Sequence, residues 1–300
     1  MSLESQQQFL EQYDIEQYER PSVAADIAVF SVMQKEPVDH RKLAEKGLRI
    51  LLIKRKQEPY MDQWALPGGF LRKGETLYEA ARRELFEETG TRRSYLELCD
   101  VFSSPDRDPR GWILSQAFMA LVNSEDCAEA DVPKAGGDAK DTAWFSVKLE
   151  RVSQERRQEN DRVVCDAVYR LYLQEENLEV YLQAQVQEHI VYEEYHQLVE
   201  YQILKSEGLA FDHAQIIVCM LKQLRRRLEI DTRIAFDFLP EYFTLTDLQS
   251  VFEIVLDTEL IKPNFRRKIA DYVTETEKSI QNGAHRPAKL FVRNLDVFYD

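Results

Sequence analysis

Two apolar, β-branched runs, SVAADIAVFSVMQ at 22–34 and LRILLIK at 48–54, predict strands. A different rhythm begins after Thr76. Leu77, Ala80, Ala81, Leu85 and Phe86 recur three and four positions apart, the spacing of one helix face. Thr76 followed three residues on by Glu79 makes a capping box, and Gly90 supplies the stop. LELCDVFSS, a Pro-rich loop SSPDRDPRGW, the run ILSQAFMALV and a return to strand at 142–147 complete an α/β pattern over residues 1–150.

The next stretch, 151–208, changes character. RQENDRVVCDAVYRLYLQ reads as helical, or as helical and then extended. EVYLQAQVQEHIVYEEYHQLVEYQILKS, rich in Val, Tyr and Ile, predicts two or three strands. From 209 the helical rhythm returns. HAQIIVCMLKQLRRRLEI is one helix, and TLTDLQSVFEIVL is a second, capped by Thr244 or Thr246. KPNFRRKIADY is a third with Pro263 in its first turn, and the final stretch alternates around Asn282-Gly283 as a hairpin. The expected organisation is therefore 1–150, a connecting acidic, strand-rich segment 151–208, and 209–300.

Composition narrows the class. The 300 residues are 44% hydrophobic and 31% charged, with no apolar run long enough to span a membrane. The polar, acidic start lacks the features of a signal peptide, and the four dispersed Cys form no paired metal spacing. Together these predict a cytoplasmic protein with reduced, buried thiols. The net charge is -14, yet from Lys222 onward acidic and basic residues balance. An acidic protein that handles phosphate needs cations as mediators.

That need meets the segment GGFLRKGETLYEAARRELFEETG. On a helix Glu84, Glu87 and Glu88 share one face, where three carboxylates repel one another and raise each other's pKa. A divalent cation removes the penalty; Mg²⁺ favours a few carboxylates together with water and phosphate oxygens. Arg83 can pair with Glu75 to hold the preceding loop, and Gly68 and Gly69 permit a close backbone approach. The pentapeptide ELFEE alone is typical of solvated acidic helices; the spacing around it is not. Gly69, five residues, Glu75, seven residues, then Arg83-Glu84-Leu85-x-Glu87-Glu88-x-Gly90 resembles the Nudix box, with one departure at Thr91, where the family prefers an aliphatic residue.

The resemblance implies an α/β/α sandwich and a metal-dependent pyrophosphohydrolase of nucleoside diphosphates linked to another moiety. It implies that Glu84, Glu87 and Glu88 hold Mg²⁺ (or Mn²⁺), that Glu87 and Glu88 are essential, and that Arg83 orients the set. SSPDRDPRGWILSQAFMALV with AGGDAKDTAWFSV resembles the ADP-ribose branch, in which Arg110 would bind phosphate and Trp112 would stack on adenine.

Helix, helix, turn, helix and hairpin outline a winged helix-turn-helix. Lys262, Asn264, Arg266, Arg267 and Lys268 cluster on its third helix, some of them expected to face inward beside Phe265 and Ile269. Arg286 and Lys289 lie on the hairpin. EGLAFDHAQII, LPEYFTLTDLQ, NFRRKI and HRPAKLF resemble the Nudix-related transcriptional regulators of NAD metabolism. Two readings stand: a hydrolase with an accessory winged helix, or a metabolite-responsive regulator that binds double-stranded DNA as a homodimer. His213 and His285 suit polar or phosphate contacts better than metal ligation.

Overall fold

The computed structural model describes residues 3–34, 46–91, 94–129, 139–281 and 287–298. After helix α1 (Leu3–Gln12) come strands β1 (Ser22–Gln34), β2 (Lys46–Arg55), β3 (Trp64–Ala65) and β4 (Gly68–Phe70), then helix α2 (Leu77–Thr89). Strands β5 (Tyr95–Phe102) and β6 (Ile113–Leu121) and helix α3 (Ser124–Glu129) follow. Four long strands come next: β7 (Ala139–Glu159), β8 (Arg162–Glu175), β9 (Val180–Tyr192) and β10 (Gln197–Glu207). The rest comprises α4 (His213–Ile230), α5 (Leu245–Leu256), α6 (Lys262–Ile269), the hairpin β11 (Val273–Ile280) and β12 (Ala288–Arg293), and α7 (Leu295–Phe298).

One sheet runs β10-β9-β8-β7-β2-β1-β6-β5, with β3 added to β2 and β4 to β1. Among the strand pairings of the described residues only β1–β6 is parallel; an isolated parallel bridge joins Trp64 to Leu209. The sheet is apolar on both sides because β1 is buried on both: Ala25, Ile27 and Val29 alternate with Ala28, Phe30 and Val32. Against the first set packs α2, through Ala80, Ala81 and Leu85. Against the second packs α4, through residues including Ile216, Ile217 and Leu221. The expected α/β/α layering is thus completed by the first helix of the C-terminal segment.

Local signals held. Thr76 caps α2, its Oγ1 accepting from Glu79 N–H at 3.3 Å while Glu79 accepts from Thr76 N–H at 2.7 Å, and Gly90 closes the helix at φ 70°. Thr244, not Thr246, caps α5, boxed with Asp247. The middle segment differs from expectation. Residues 162–175 form no helix but a strand paired on both sides, and β7 runs without a break through position 150. The stretch 151–208 therefore prolongs the same sheet. Its Val164, Ala167 and Leu171 are buried at steps of three and four, which imitates a helix; pairing with β7 and β9 overrides that local signal.

Residues 213–298 form the expected three helices and two-stranded hairpin, joined by the Phe243–Phe291 bridge. The Asn282-Gly283 turn, Arg286 and His285 lie outside the described residues. Cys99, Cys165 and Cys219 are free thiols, of which only Cys219 is fully buried, short of the expectation that all are; the Cys127 side chain lies outside the description. No helix among the described residues is long and apolar enough to cross a membrane.

Candidate functional site

Where β1, β4, α2 and the 107–110 loop converge lies a cleft of about 400 Å³, within the range of small-molecule sites. Glu84, Glu87 and Glu88 all line it, as do Gly68, Gly69 and Arg110. A Cβ on Gly69 would collide with the Glu84 carboxylate, and one on Gly68 with Ala25 O and Asp26 Oδ1. Gly68 is required by the backbone of β1 that passes against it, whereas a side chain at Gly69 would displace the Glu84 carboxylate.

Arg83 organises the helix face. Its Nε donates to Glu75 Oε1 at 2.8 Å and its Nη2 to Glu75 Oε2 at 3.2 Å, while Nη1 pairs with Glu84. Hydrogen bonding from Arg83 holds the Glu75 carboxyl well below its usual range, at about 2. Burial pushes Glu84 up, against the pull of Arg83. Burial also pushes Glu88 up, opposed by a 3.0 Å hydrogen bond from Thr142 and reinforced by the charges of Glu84 and Glu87.

These are hard oxygen donors, Glu88 buried, Glu84 and Glu87 partly so, and they repel one another; by donor chemistry they fit a divalent cation. Among the described residues, no three acidic, imidazole or thiol groups already stand grouped to hold one. Glu84 would have to exchange its contact with Arg83.

The opposite wall was not foreseen. Asp26, a carboxylate in the middle of an apolar strand, is buried beside Ser115, with Arg107 Nη2 at 3.6 Å. Arg107 itself is fixed by Asp212 through two hydrogen bonds, of 2.8 and 2.7 Å. His213 Nδ1 accepts the Leu66 N–H at 2.8 Å, so its proton sits on Nε2, which faces Asp26 Oδ2 at 3.9 Å. Burial lowers its pKa, and the imidazole is neutral. His213 thus makes a polar contact, though with the protein's own backbone.

Phe211 lines the cleft beside His213. Trp112, by contrast, is 51% exposed and is not among the lining residues. Arg110 already holds a carboxylate in its fork, with Nε and Nη2 on Asp108 at 3.0 and 2.7 Å. Burial works to raise Asp108, but the Arg110 hydrogen bonds prevail and keep it below its usual range. The signals for the missed residues were a lone Asp inside an apolar run, a second Arg in the DRDPRG loop, and a Phe-Asp-His triplet at a helix start.

On α6, Phe265 and Ile269 are buried, while Lys262, Asn264, Arg266, Arg267 and Lys268 are all exposed. None of the five turns inward as expected, because two apolar residues four apart suffice to seat so short a helix. Arg267 Nη2 donates to Asn264 at 2.7 Å, Lys268 lies 5.4 Å from the Phe252 ring, and Lys289 pairs with Glu275 at 2.9 Å.

Two family profiles match the chain: NUDIX domain over residues 38–167, and NrtR DNA-binding winged helix domain over 235–292. The chain joins a Nudix domain to an NrtR-type winged helix domain. The Nudix domain contributes the carboxylate helix, and the winged helix domain carries the basic face of α6. A relative from Acinetobacter baylyi, an ADPR responsive transcriptional repressor, is 28% identical over 97% of this chain and 89% of its own length. The ADP-ribose pyrophosphatase of Methanocaldococcus jannaschii is 46% identical over 35% of this chain and 59% of its own length. Among solved structures, a MutT/nudix family protein from Enterococcus faecalis superimposes with a TM-score of 0.66 at 26% identity, covering 98% of this chain and 94% of the other.

Proposed function

We propose that the chain is a DNA-binding regulator that responds to ADP-ribose, or a related nucleoside diphosphate derivative, held in the Nudix cleft. One observation carries the reading: the cleft belongs to both halves. Carboxylates of α2 form one wall, and Phe211 and His213, at the start of the C-terminal segment, form the other. Arg107, which lines the cleft, is bonded to Asp212. A ligand that touches both walls changes the relative free energies of their arrangements, and any such difference acts reciprocally on DNA affinity. The full-length relative described as ADPR responsive supports the same ligand.

In this reading Gly68 and Gly69 admit the ligand close to the backbone, and Arg110 takes phosphate oxygens in place of Asp108. The DNA face is Lys262, Asn264, Arg266, Arg267 and Lys268 on α6, with Lys289 on the hairpin. The DNA-binding unit begins at 209, and the unit before it includes the sheet extension.

The intact carboxylate set favours a second reading, in which the cleft also cuts its ligand. Glu84, Glu87 and Glu88 would hold Mg²⁺ or Mn²⁺, with Arg83 orienting them. Such an ion, when bound, neutralises diphosphate charge and lowers the pKa of water. The strong identity of the Nudix portion to an ADP-ribose pyrophosphatase supports this. Incubating the full chain with ADP-ribose and Mg²⁺ separates the readings. Rapid, metal-dependent release of AMP and ribose 5-phosphate adds hydrolysis; binding without turnover leaves sensing alone; no binding overturns both.

A further inference from the structure

Charged groups suited to phosphates and hydroxyls share the lining of the cleft with apolar residues, and among the latter the aromatic faces are few and informative. Phe70, at the end of β4, is 41% exposed and lines the cleft. Phe211 stands at φ 50°, in the left-handed region that a non-glycine residue keeps only where its surroundings hold it there. They do hold it: Tyr60 meets its ring edge-on at 4.7 Å, and the Arg55 guanidinium lies 4.8 Å from its centroid.

Both rings share one neighbour. Arg110 Cζ lies 5.1 Å from the Phe70 centroid and 5.1 Å from that of Phe211. A guanidinium is flat, delocalised and inclined to stack on aromatic faces, as a nucleobase is. The position that Arg110 takes beside the two rings suits a flat, delocalised group.

We infer that Phe70 and Phe211 form the aromatic clamp for the base of the ligand, and that the Arg110 guanidinium occupies that space until a ligand arrives. The inference rests on the reading of the cleft as a nucleoside diphosphate site and names the residues that select the nucleoside. A diphosphate offers Arg110 an alternative bidentate partner, and the guanidinium leaves as the base enters. The clamp also has a consequence for signalling. Phe211 precedes Asp212 directly, so the residue that reads the base belongs to the segment that begins α4.

The test compares ADP-ribose with ribose 5-diphosphate, which keeps the phosphates and lacks the adenosine, against the protein and its Phe211→Leu, Phe70→Leu and Phe211→Tyr variants. Stacking on one aromatic face is worth about tenfold or more in affinity. Each Leu variant is expected to lose about tenfold for ADP-ribose and less than twofold for ribose 5-diphosphate, while Phe211→Tyr keeps the wild-type preference. Equal losses for both ligands would show a merely structural role, and unchanged ADP-ribose affinity in both Leu variants would remove the clamp. Phe70 is exposed, so its variant reports even if a change at Phe211 disturbs folding. If the wild type binds neither compound, the nucleoside diphosphate reading fails first, and the clamp with it.

Discussion

Arg107 and Asp212, 105 positions apart in sequence, meet in a buried pair with two hydrogen bonds of 2.8 and 2.7 Å. One residue lines the cleft, and the other is the residue before α4. The pair ties the cleft to the start of the C-terminal segment, as does the bond from Leu66 N–H to His213.

Removing one member strands the other charge in a dry site. Asp212→Asn is expected to destabilise the protein by about 3 kcal/mol, the low end for a broken buried pair, because Asp26 remains 3.6 Å from Arg107. Urea denaturation with linear extrapolation measures this, and a loss below about 1 kcal/mol would contradict it.

The pH dependence has a definite sign. His213 is held neutral, its pKa lowered from the ordinary 6.5 by burial, with Arg107 and Arg55 assisting and Asp26 and Asp212 opposing. Its contribution to stability is fully present above pH 6.5 and is lost as pH falls below that value toward the folded pKa, where the unfolded chain binds the extra proton. Melting temperature should fall between pH 6.5 and pH 5 in the wild type and fall less in His213→Gln. Equal slopes would show that another group is responsible.

On the proposed DNA face, Arg267 donates to Asn264 and makes no other side-chain hydrogen bond among the described residues. Arg267→Ala should leave thermal stability unchanged within about 0.5 kcal/mol. If Arg267 meets a phosphate, it should also weaken binding to all sequences alike and reduce the salt slope by about one. Titrations at several salt concentrations decide, and an unaltered slope places Arg267 off the DNA backbone.

Glu87 is partly exposed, with Arg72 and Arg83 at 3.9 and 3.8 Å. Glu87→Gln is therefore expected to fold with normal stability. If the protein hydrolyses ADP-ribose, the variant loses that activity, by 10²-fold or more for a group at the reacting centre. Full retained turnover would remove Glu87 from the chemistry.

How legible was this in the sequence? What depends on residues within about two helical turns of one another was plain: the Thr76 box, the Gly90 stop, the Arg83–Glu75 pair eight positions apart and the shared face of the three glutamates. The basic cluster on α6 was also plain, though its orientation was not, because the sequence does not show how little apolar contact seats so short a helix. The strand at 162–175 was hidden by buried positions with helical spacing, and its conformation is set by partners on both sides. The second wall of the cleft was hidden for a different reason. Asp26, Arg107, Phe211 and His213 come together only when α4 covers the sheet, and no local pattern announces a contact across 105 residues.

If the cleft and the proposed DNA face share one equilibrium, a ligand in the first must alter affinity at the second. The measurement that tests this most directly is fluorescence anisotropy of a labelled duplex taken from beside the protein's own gene, at low salt, with and without saturating ADP-ribose. The expected result is binding whose affinity changes by about 5- to 150-fold when the ligand is added, the usual range of coupling between sites. Absence of DNA binding even at low salt, or DNA affinity that stays constant while ADP-ribose demonstrably occupies the cleft, would contradict it.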